Sequence, residues 1–300
     1  HFTDPDSGWA ILNNLEYVLK STDGGESWDL TKISGGKYHN LWFRDKSGWL
    51  IGKDGIIMHT KDGGHEWNVQ TSNTDAALYD IFFVNELTGW IVGENGTILS
   101  TNNGGTNWLS QTSESTETFT SIYMLNSSTG WIVGENGAIL YTTDSGNNWS
   151  VHTAGITANL NNIIFADQNN GWIAGDEGKI LNTADGGATW TEQPSGIELD
   201  LNSVWFTNSQ YGWIAGNEGR ILRTTTGGTP TFVTAADQPD VPSQSQLLQN
   251  YPNPFNPTTT IVYKLHLTGS VTLKIYNITG QQVATLVNRV QQTGTHRITW

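Results

Sequence analysis

Six carboxylates stand outside any regular pattern in this 300-residue chain: Asp75, Asp80, Glu114, Glu117, Glu198 and Asp200. Two carboxylates held at a defined separation across a cleft hydrolyse glycosidic bonds, one as acid and the other as nucleophile or base. A pair from this set is the candidate machinery of a glycoside hydrolase. An enzyme that grips a sugar carboxylate also needs clustered arginines, because the guanidinium fork matches that group. The first 236 residues hold only Arg44, Arg220 and Arg223, and the last two share one strand, so sialidase chemistry is poorly supported. The chain has no cysteine, which excludes disulfides, zinc-thiolate sites and thiol nucleophiles. It carries no phosphate-binding loop, dinucleotide fingerprint or zinc motif. No metal and no cofactor is expected.

The elements that position these groups come from an internal repeat. Gly-Trp pairs fall at Gly8-Trp9, Gly48-Trp49, Gly89-Trp90, Gly130-Trp131, Gly171-Trp172 and Gly212-Trp213, 40 or 41 residues apart. A second marker follows each pair, running from Ser21 to Trp28, Thr60 to Trp67, Thr101 to Trp108, Thr142 to Trp149 and Thr183 to Trp190. A sixth copy at Thr224 has lost its Asp and Trp. Each unit reads as four short strands. In the third, Leu78–Val84 and Gly89–Gly93 precede a hairpin turn at Glu94, Asn95 and Gly96, where an Asn-Gly pair tolerates positive φ at both central residues. Four strands in about 40 residues make a propeller blade. The expected fold is all-β: a propeller over residues 1–235 with six visible four-stranded blades, then a linker at 236–249 and a small β-sandwich at 250–300. The first unit lacks most of its innermost strand. The intact protein is therefore expected to have six or seven blades.

The marker has a mechanical reading. An Asp carboxylate accepts backbone N–H groups within its own turn, glycines supply the backbone angles, and the Trp closes the turn over the blade core. Asp23, Asp62, Asp144 and Asp185 fit, with Asn103 as stand-in, and Trp28, Trp67, Trp108, Trp149 and Trp190 as the closing rings. The marker resembles the Asp-box, or bacterial neuraminidase repeat. With the 41-residue period it resembles the propeller family named after the photosystem II assembly factor, over residues 1–235. The resemblance implies a propeller whose Asp-boxes are structural and lie away from the ligand. The family and its relatives include binding proteins, assembly factors and glycosidases, so the fold alone leaves the activity open.

Aligning the innermost strands brings Asn40, Asp80, Ser121, Asn162 and Ser203 into one register. They form a polar ring near the channel mouth, with His39 beside it as a hydrogen-bonded imidazole. Such a ring is the candidate site for a polar ligand, or a lining for ordered water. The turns at Asp54, Glu94, Glu135, Asp176-Glu177 and Glu218 read as one acidic corner per blade, a solvated feature multiplied by duplication. Eleven of the 14 tryptophans belong to Gly-Trp pairs or Asp-boxes, Trp42 and Trp205 sit on inner strands, and Trp300 ends the chain. No Trp is left for an exposed sugar platform.

Charge narrows the partners. Residues 1–236 hold 10 Lys and Arg against 26 Asp and Glu, a net of −16, whereas residues 237–300 carry about +2. So acidic a propeller repels phosphate backbones and anionic membrane surfaces, and nucleic acid is not an expected partner. No run of 18 apolar residues is present, so no membrane-spanning helix is expected.

After the repeat comes Asn250, Tyr251, Pro252, Asn253, Pro254, Phe255, Asn256 and Pro257. Three prolines within six residues exclude helix and central strand. Strands follow at 261–265, 271–276 and 282–286, with a turn at Gly280. The motif, together with 271–280 and 294–300, resembles the C-terminal sorting domain of the type IX secretion system of Bacteroidetes and related phyla. The resemblance implies a small sandwich recognised by the secretion machinery at the outer membrane, with the cargo released or held at the cell surface. The sorting pattern is expected to continue past Trp300. The chain begins at His1 rather than Met, and a signal peptide is expected upstream. Short loops, near-identical blades and no symmetry-breaking catalytic cluster favour a non-catalytic binding module for a protein or glycan. An extracellular glycoside hydrolase using the off-repeat carboxylates is the alternative.

Overall fold

The computed structural model describes residues 1–12, 16–228, 245–248, 258–265, 267–277 and 281–300. The chain divides into two compact units, His1–Phe232 and Val233–Trp300. No helix among the described residues is long and apolar enough to cross a membrane.

The first unit is a series of antiparallel sheets that follow the repeat. Blade 3 is Leu78–Phe83, Gly89–Gly93, Ile98–Thr101 and Leu109–Gln111, paired in chain order. Blades 2, 4 and 5 have the same four strands, while blades 1 and 6 show three among the described residues. In blade 1 an isolated antiparallel bridge joins Phe2 to Gly8. Local rules account for the blade. Asn95 and Gly96 take φ of 55° and 67°, so the hairpin twists with its strands. A Cβ on Gly96 would lie 2.0 Å from the Ser115 carbonyl oxygen, which makes glycine obligatory there. The glycine of the Gly-Trp pair has another cause: the Phe83 ring covers Gly89, and a Cβ there would meet it at 2.5 Å.

The core lies between blades. Strand alternation sends Trp90, Val92 and Ile98 of blade 3 against Phe119, Ile122, Met124, Ile132 and Trp149 of blade 4. Trp49, Ile51 and Ile57 of blade 2 pack the same way on Ile81, Phe83, Ile91 and Trp108 of blade 3. Each blade is thus stabilised mainly by its neighbours, as in other repeat folds.

That rule explains two departures from expectation. Trp205 and Trp213 of blade 6 are 63% and 38% exposed, so the chain does present tryptophan rings to solvent. Their face is the one that blades 2 to 5 bury under the following blade. Trp28 does not close over a core either and is 37% exposed, whereas Trp108 and Trp149 are buried.

The second unit contains Thr260–Leu265 paired with Gly294–Thr299, and a hairpin of Gly269–Tyr276 with Gln282–Gln291. The third expected strand runs on to Gln291, because two register shifts let the long hairpin keep pairing. Gln246–Leu247, read above as linker, pairs with Lys264 and Tyr263 as a short strand. Ile261, Tyr263 and Val287 are its buried hydrophobic residues among those described. The motif Asn250–Pro257 and the turn at Gly280 lie outside the described residues.

Candidate functional site

The inner strands of blades 2 to 6 share a register break. Leu78 faces Gly93 while Asp80 faces Val92, so Tyr79 is an extra residue in the ladder. The same shift occurs at Tyr38/Asn40, Phe119/Ser121, Leu160/Asn162 and Leu201/Ser203. A bulge of this kind turns two successive side chains toward one side. The second of each pair, Asn40, Asp80, Ser121, Asn162 and Ser203, lines a central cavity of about 730 Å³. The first of four of the pairs, Tyr79, Thr120, Asn161 and Asn202, lines a separate mouth of about 620 Å³ with Glu135, and His39 borders both.

The structure brings the predicted ring together as a hydrogen-bonded belt. Asn40 Nδ2 donates to Asp80 Oδ1 at 2.8 Å, and Ser121 Oγ donates to Asp80 Oδ2 at 2.8 Å. Asn162 Nδ2 donates to Ser121 Oγ at 3.1 Å. The backbone N–H groups of Ile81 and Ile122 also end on Asp80, and that of Val204 on Asn162 Oδ1. Ser203, exposed on blade 6, ends the belt. The Asp80 residue is partly open to the channel, but its carboxyl group is enclosed by protein. Burial pushes its pKa up to about 6, against the pull of the donors from Ile122, Ser121 and Ile81. Four donors saturate this carboxylate, which leaves it little capacity for a ligand.

The mouth is built differently. His39 Nδ1 lies 3.0 Å from the Leu78 carbonyl, so that nitrogen carries the hydrogen, and the ring stacks on Tyr79 at 5.1 Å. Thr120 and Asn161 reach the corresponding carbonyls of Leu160 and Leu201. Tyr79 Oη donates to Glu94 at 2.9 Å, Asn161 to Asp176 at 2.7 Å, and Asn202 to Asn217 at 2.9 Å. Burial, with the nearby carboxylates of Glu94 and Glu135, raises the Tyr79 phenol to about 12.

The acidic corners therefore do not form one ring. Glu94, Glu135 and Asp176 occupy the first turn position at the mouth, whereas Asp54, Glu177 and Glu218 occupy the second, at φ of 56° or 57°. Of the off-repeat carboxylates, Glu117 accepts from Asn136, and Asp200 accepts from Glu177 N and Asn217 Nδ2. Asp75, Glu114 and Glu198 are exposed. Arg44 donates to the Val84 carbonyl on the opposite face.

That opposite face carries the Asp-boxes. Gly63 N and Gly104 N donate to the carbonyls of Lys46 and Leu87 in the loops between first and second strands. Inside each box the acid is occupied: Asp62 accepts from Thr60 Oγ1, His65 N and Glu66 N, and Asn103 and Asp144 make similar sets. Side-chain donation from Ser27 and Thr189, then backbone donation from the same residues, lowers Asp23 and Asp185 to about 2. The repeat reading missed a contact between blades. Gln70 and Gln111 accept from Trp108 Nε1 at 3.0 Å and Trp149 Nε1 at 3.1 Å. The signal was present as a Gln three residues after the box Trp. His152 takes that place in blade 4, and Trp190 Nε1 has no partner.

One titration follows from this face. His59 Nε2 lies 3.0 Å from Ser47 Oγ, and the ring stacks on Trp49 at 4.5 Å. Burial, helped by Lys61, lowers its pKa from 6.5 to about 4. A histidine held neutral in the fold costs stability only while the unfolded chain is the form that protonates. The contribution of His59 to stability is expected to be lost as pH falls from about 6.5 to 4. His59→Gln is expected to flatten that limb in denaturant unfolding followed by Trp fluorescence. An unchanged slope would show that His59 titrates freely.

The sequence matches the family described as "Photosynthesis system II assembly factor YCF48" at residues 1–73, 65–155 and 150–253. It matches "Secretion system C-terminal sorting domain" at residues 249–299. The photosystem II assembly lipoprotein Ycf48 of Synechococcus sp. (strain CC9902) is 32% identical over 71 residues, 22% of this chain and 21% of that protein. The chloroplastic stability/assembly factor HCF136 of Arabidopsis thaliana is 29% identical over 72 residues, 22% of this chain and 18% of its own. The chain thus matches about a fifth of the length of these relatives. The solved structure "YCF48 bound to D1 peptide" aligns with a TM-score of 0.65 at 21% identity, over 88% of each chain. A GH74 enzyme of Niastella koreensis aligns with a TM-score of 0.58 at 12% identity, over 83% of this chain and 46% of that one. At these identities the structures share the propeller fold.

Proposed function

Because the chain belongs to the photosynthesis system II assembly factor YCF48 family over residues 1–253 and ends in a type IX secretion C-terminal sorting domain at 249–299, we propose that it is an exported, non-catalytic binding module. The sorting domain indicates secreted or cell-surface export. The propeller is its cargo and captures a protein or glycan partner at the mouth of the channel. The observation that carries this reading is the mouth itself. Its side chains, Tyr79, Thr120, Asn161 and Asn202 with Glu135, change from blade to blade around a cavity of about 620 Å³. Variation on a repeated scaffold gives a surface its specificity. The solved structure of YCF48 bound to D1 peptide supports a polypeptide as one class of partner.

The carboxylates argue against hydrolysis. Asp80 is saturated by donors, and Glu117 and Asp200 bond to the hairpin turns. The likeness to GH74 enzymes is one of fold. The test has two arms. Incubation with a panel of polysaccharides is expected to release no reducing ends. Ligands selected by the full chain from peptide and glycan arrays are expected to bind Tyr79→Ala at least about tenfold more weakly, the loss of roughly 1.4 kcal/mol. Robust release of reducing ends, or ligands indifferent to Tyr79→Ala, would sink this reading.

A further inference from the structure

Blade 2 breaks the symmetry of the Asp-box face. In blades 3 to 6 the loop after the inner strand is capped by one side chain: Asn85, Asn126, Asp167 or Asn208 accepts two backbone N–H groups. In blade 2 the loop is one residue shorter. Arg44 pairs directly with Ser47, and Asp45 turns at φ 52°. Beside this shortened loop, a cavity of about 630 Å³ opens between blades 2 and 3. That volume lies within the roughly 300–1,000 Å³ range of small-ligand sites.

Trp49 forms one wall. The residue is 1% exposed, yet its indole N–H has no hydrogen-bond partner. The counterparts in blades 1 and 5 are satisfied: Trp9 Nε1 donates to the Gly63 carbonyl at 3.1 Å and Trp172 Nε1 to the Gly227 carbonyl at 3.3 Å. The corresponding carbonyl for Trp49 belongs to Gly104, which lines the cavity and instead accepts from Gln70 Nε2 at 3.3 Å. Trp49 and Gly104 both line the cavity, so the unused donor lies within its wall. Trp90 and Trp131 are left in the same way, and of the three it is Trp49 that borders this cavity. A buried donor without a partner is costly, and a ligand hydroxyl or a bridging water would remove that cost.

The remaining walls define the ligand class. Lys61 and Asn68 donate, Glu86 and Asn68 accept, and Thr106 does both. Leu87, 57% exposed, adds one apolar plate. The walls hold one cation, Lys61, against the carboxylates of Asp62, Glu66 and Glu86, so an anionic ligand is disfavoured, while carboxylates accept readily from ligand hydroxyls. Mixed donors and acceptors beside an apolar plate suit a ring with many hydroxyls and an apolar face. We propose that this cavity is a binding site for neutral oligosaccharides, separate from the channel mouth.

The experiment is isothermal titration of the full chain with cellohexaose, xylohexaose, laminarihexaose and maltohexaose. At least one is expected to bind. Asn68→Ala and Glu86→Ala, both at exposed positions, are expected to weaken it about tenfold or more, and Thr106→Trp to abolish it by filling the cavity. His39→Ala at the mouth is expected to leave the affinity unchanged. Binding of none of the four sugars would overturn the proposal. So would affinity lost in His39→Ala but kept in Thr106→Trp, which would move the sugar to the mouth and leave the binding-module reading standing.

Discussion

Asp80→Ala is expected to destabilise the propeller by about 4 kcal/mol. The substitution removes one carboxylate and takes the partner from three donors on blades 3 and 4, Ser121 Oγ and the backbone N–H groups of Ile81 and Ile122, while Asn40 Nδ2 on blade 2 keeps only the Tyr79 carbonyl at 3.3 Å. Each buried donor left unpaired costs about 1–3 kcal/mol, and water entering from the channel offsets part of the total. Asp80→Asn is expected to fall between, because one oxygen still accepts while the new amide opposes the other donors. The pH dependence has a definite sign. The folded pKa of about 6 lies above the ordinary carboxylate value of 3.8. The unfolded chain therefore ionises first, and the contribution of Asp80 to stability is lost as pH rises through that window, opposite in sign to that of His59. The gap between wild type and Asp80→Ala is expected to be widest near pH 4 and to narrow through pH 6. Urea unfolding at both pH values measures it. A cost under about 1 kcal/mol would mean that the belt is a lining of the channel and not a brace between blades.

Trp90→Ala should be comparably severe, for a different reason. The indole is 1% exposed and fills the seam between blades 3 and 4. Truncating a buried aromatic ring costs about 3–5 kcal/mol, from lost transfer energy and from the cavity left behind. At roughly 2–4 °C per kcal/mol for a unit of this size, the melting temperature is expected to fall by about 10 °C. The matched control is Trp213→Ala, the same repeat position on the exposed face of blade 6, at 38% exposure. That change is expected to cost below about 1 kcal/mol. Equal losses at the two positions, read by differential scanning calorimetry, would mean that blade 6 is covered in solution.

The comparison of Trp90 with Trp213 separates what a repeat reveals from what it hides. Both tryptophans follow a glycine at the same place in a 41-residue unit, and nothing near them in the chain tells them apart. One lies under a following blade, and among the described residues the other does not. The inner strands hold a similar lesson. A strict two-residue alternation puts either Tyr79 or Asp80 toward the channel, while the bulge puts both there, one at the mouth and one in the belt. The acidic corners look equivalent in sequence. They separate in space because the two central turn positions point differently, so Glu94 reaches Tyr79 whereas Asp54 of the neighbouring blade sits at the positive-φ position.

The sequence by itself determined the blade, its turns, the Asp-boxes and the export address. The turns and boxes depend on neighbouring residues, where backbone angles and local hydrogen bonds decide the outcome, as at Asn95 and Gly96 in their turn or Asp62 closing on Thr60 and Glu66. The blade and the export address show in the repeat and in the pattern of residues 249–299. Only the tertiary structure decided which side chains are spent and which are free. Asn40 meets Asp80 across 40 residues, Ser121 meets it across 41, and Gln70 meets Trp108 across 38. Those meetings depend on how one blade stacks on the next, and stacking is set by buried side-chain shape over the whole seam. The saturated belt, the indole of Trp49 without a partner and the cavity beside the short loop of blade 2 all arise at that level.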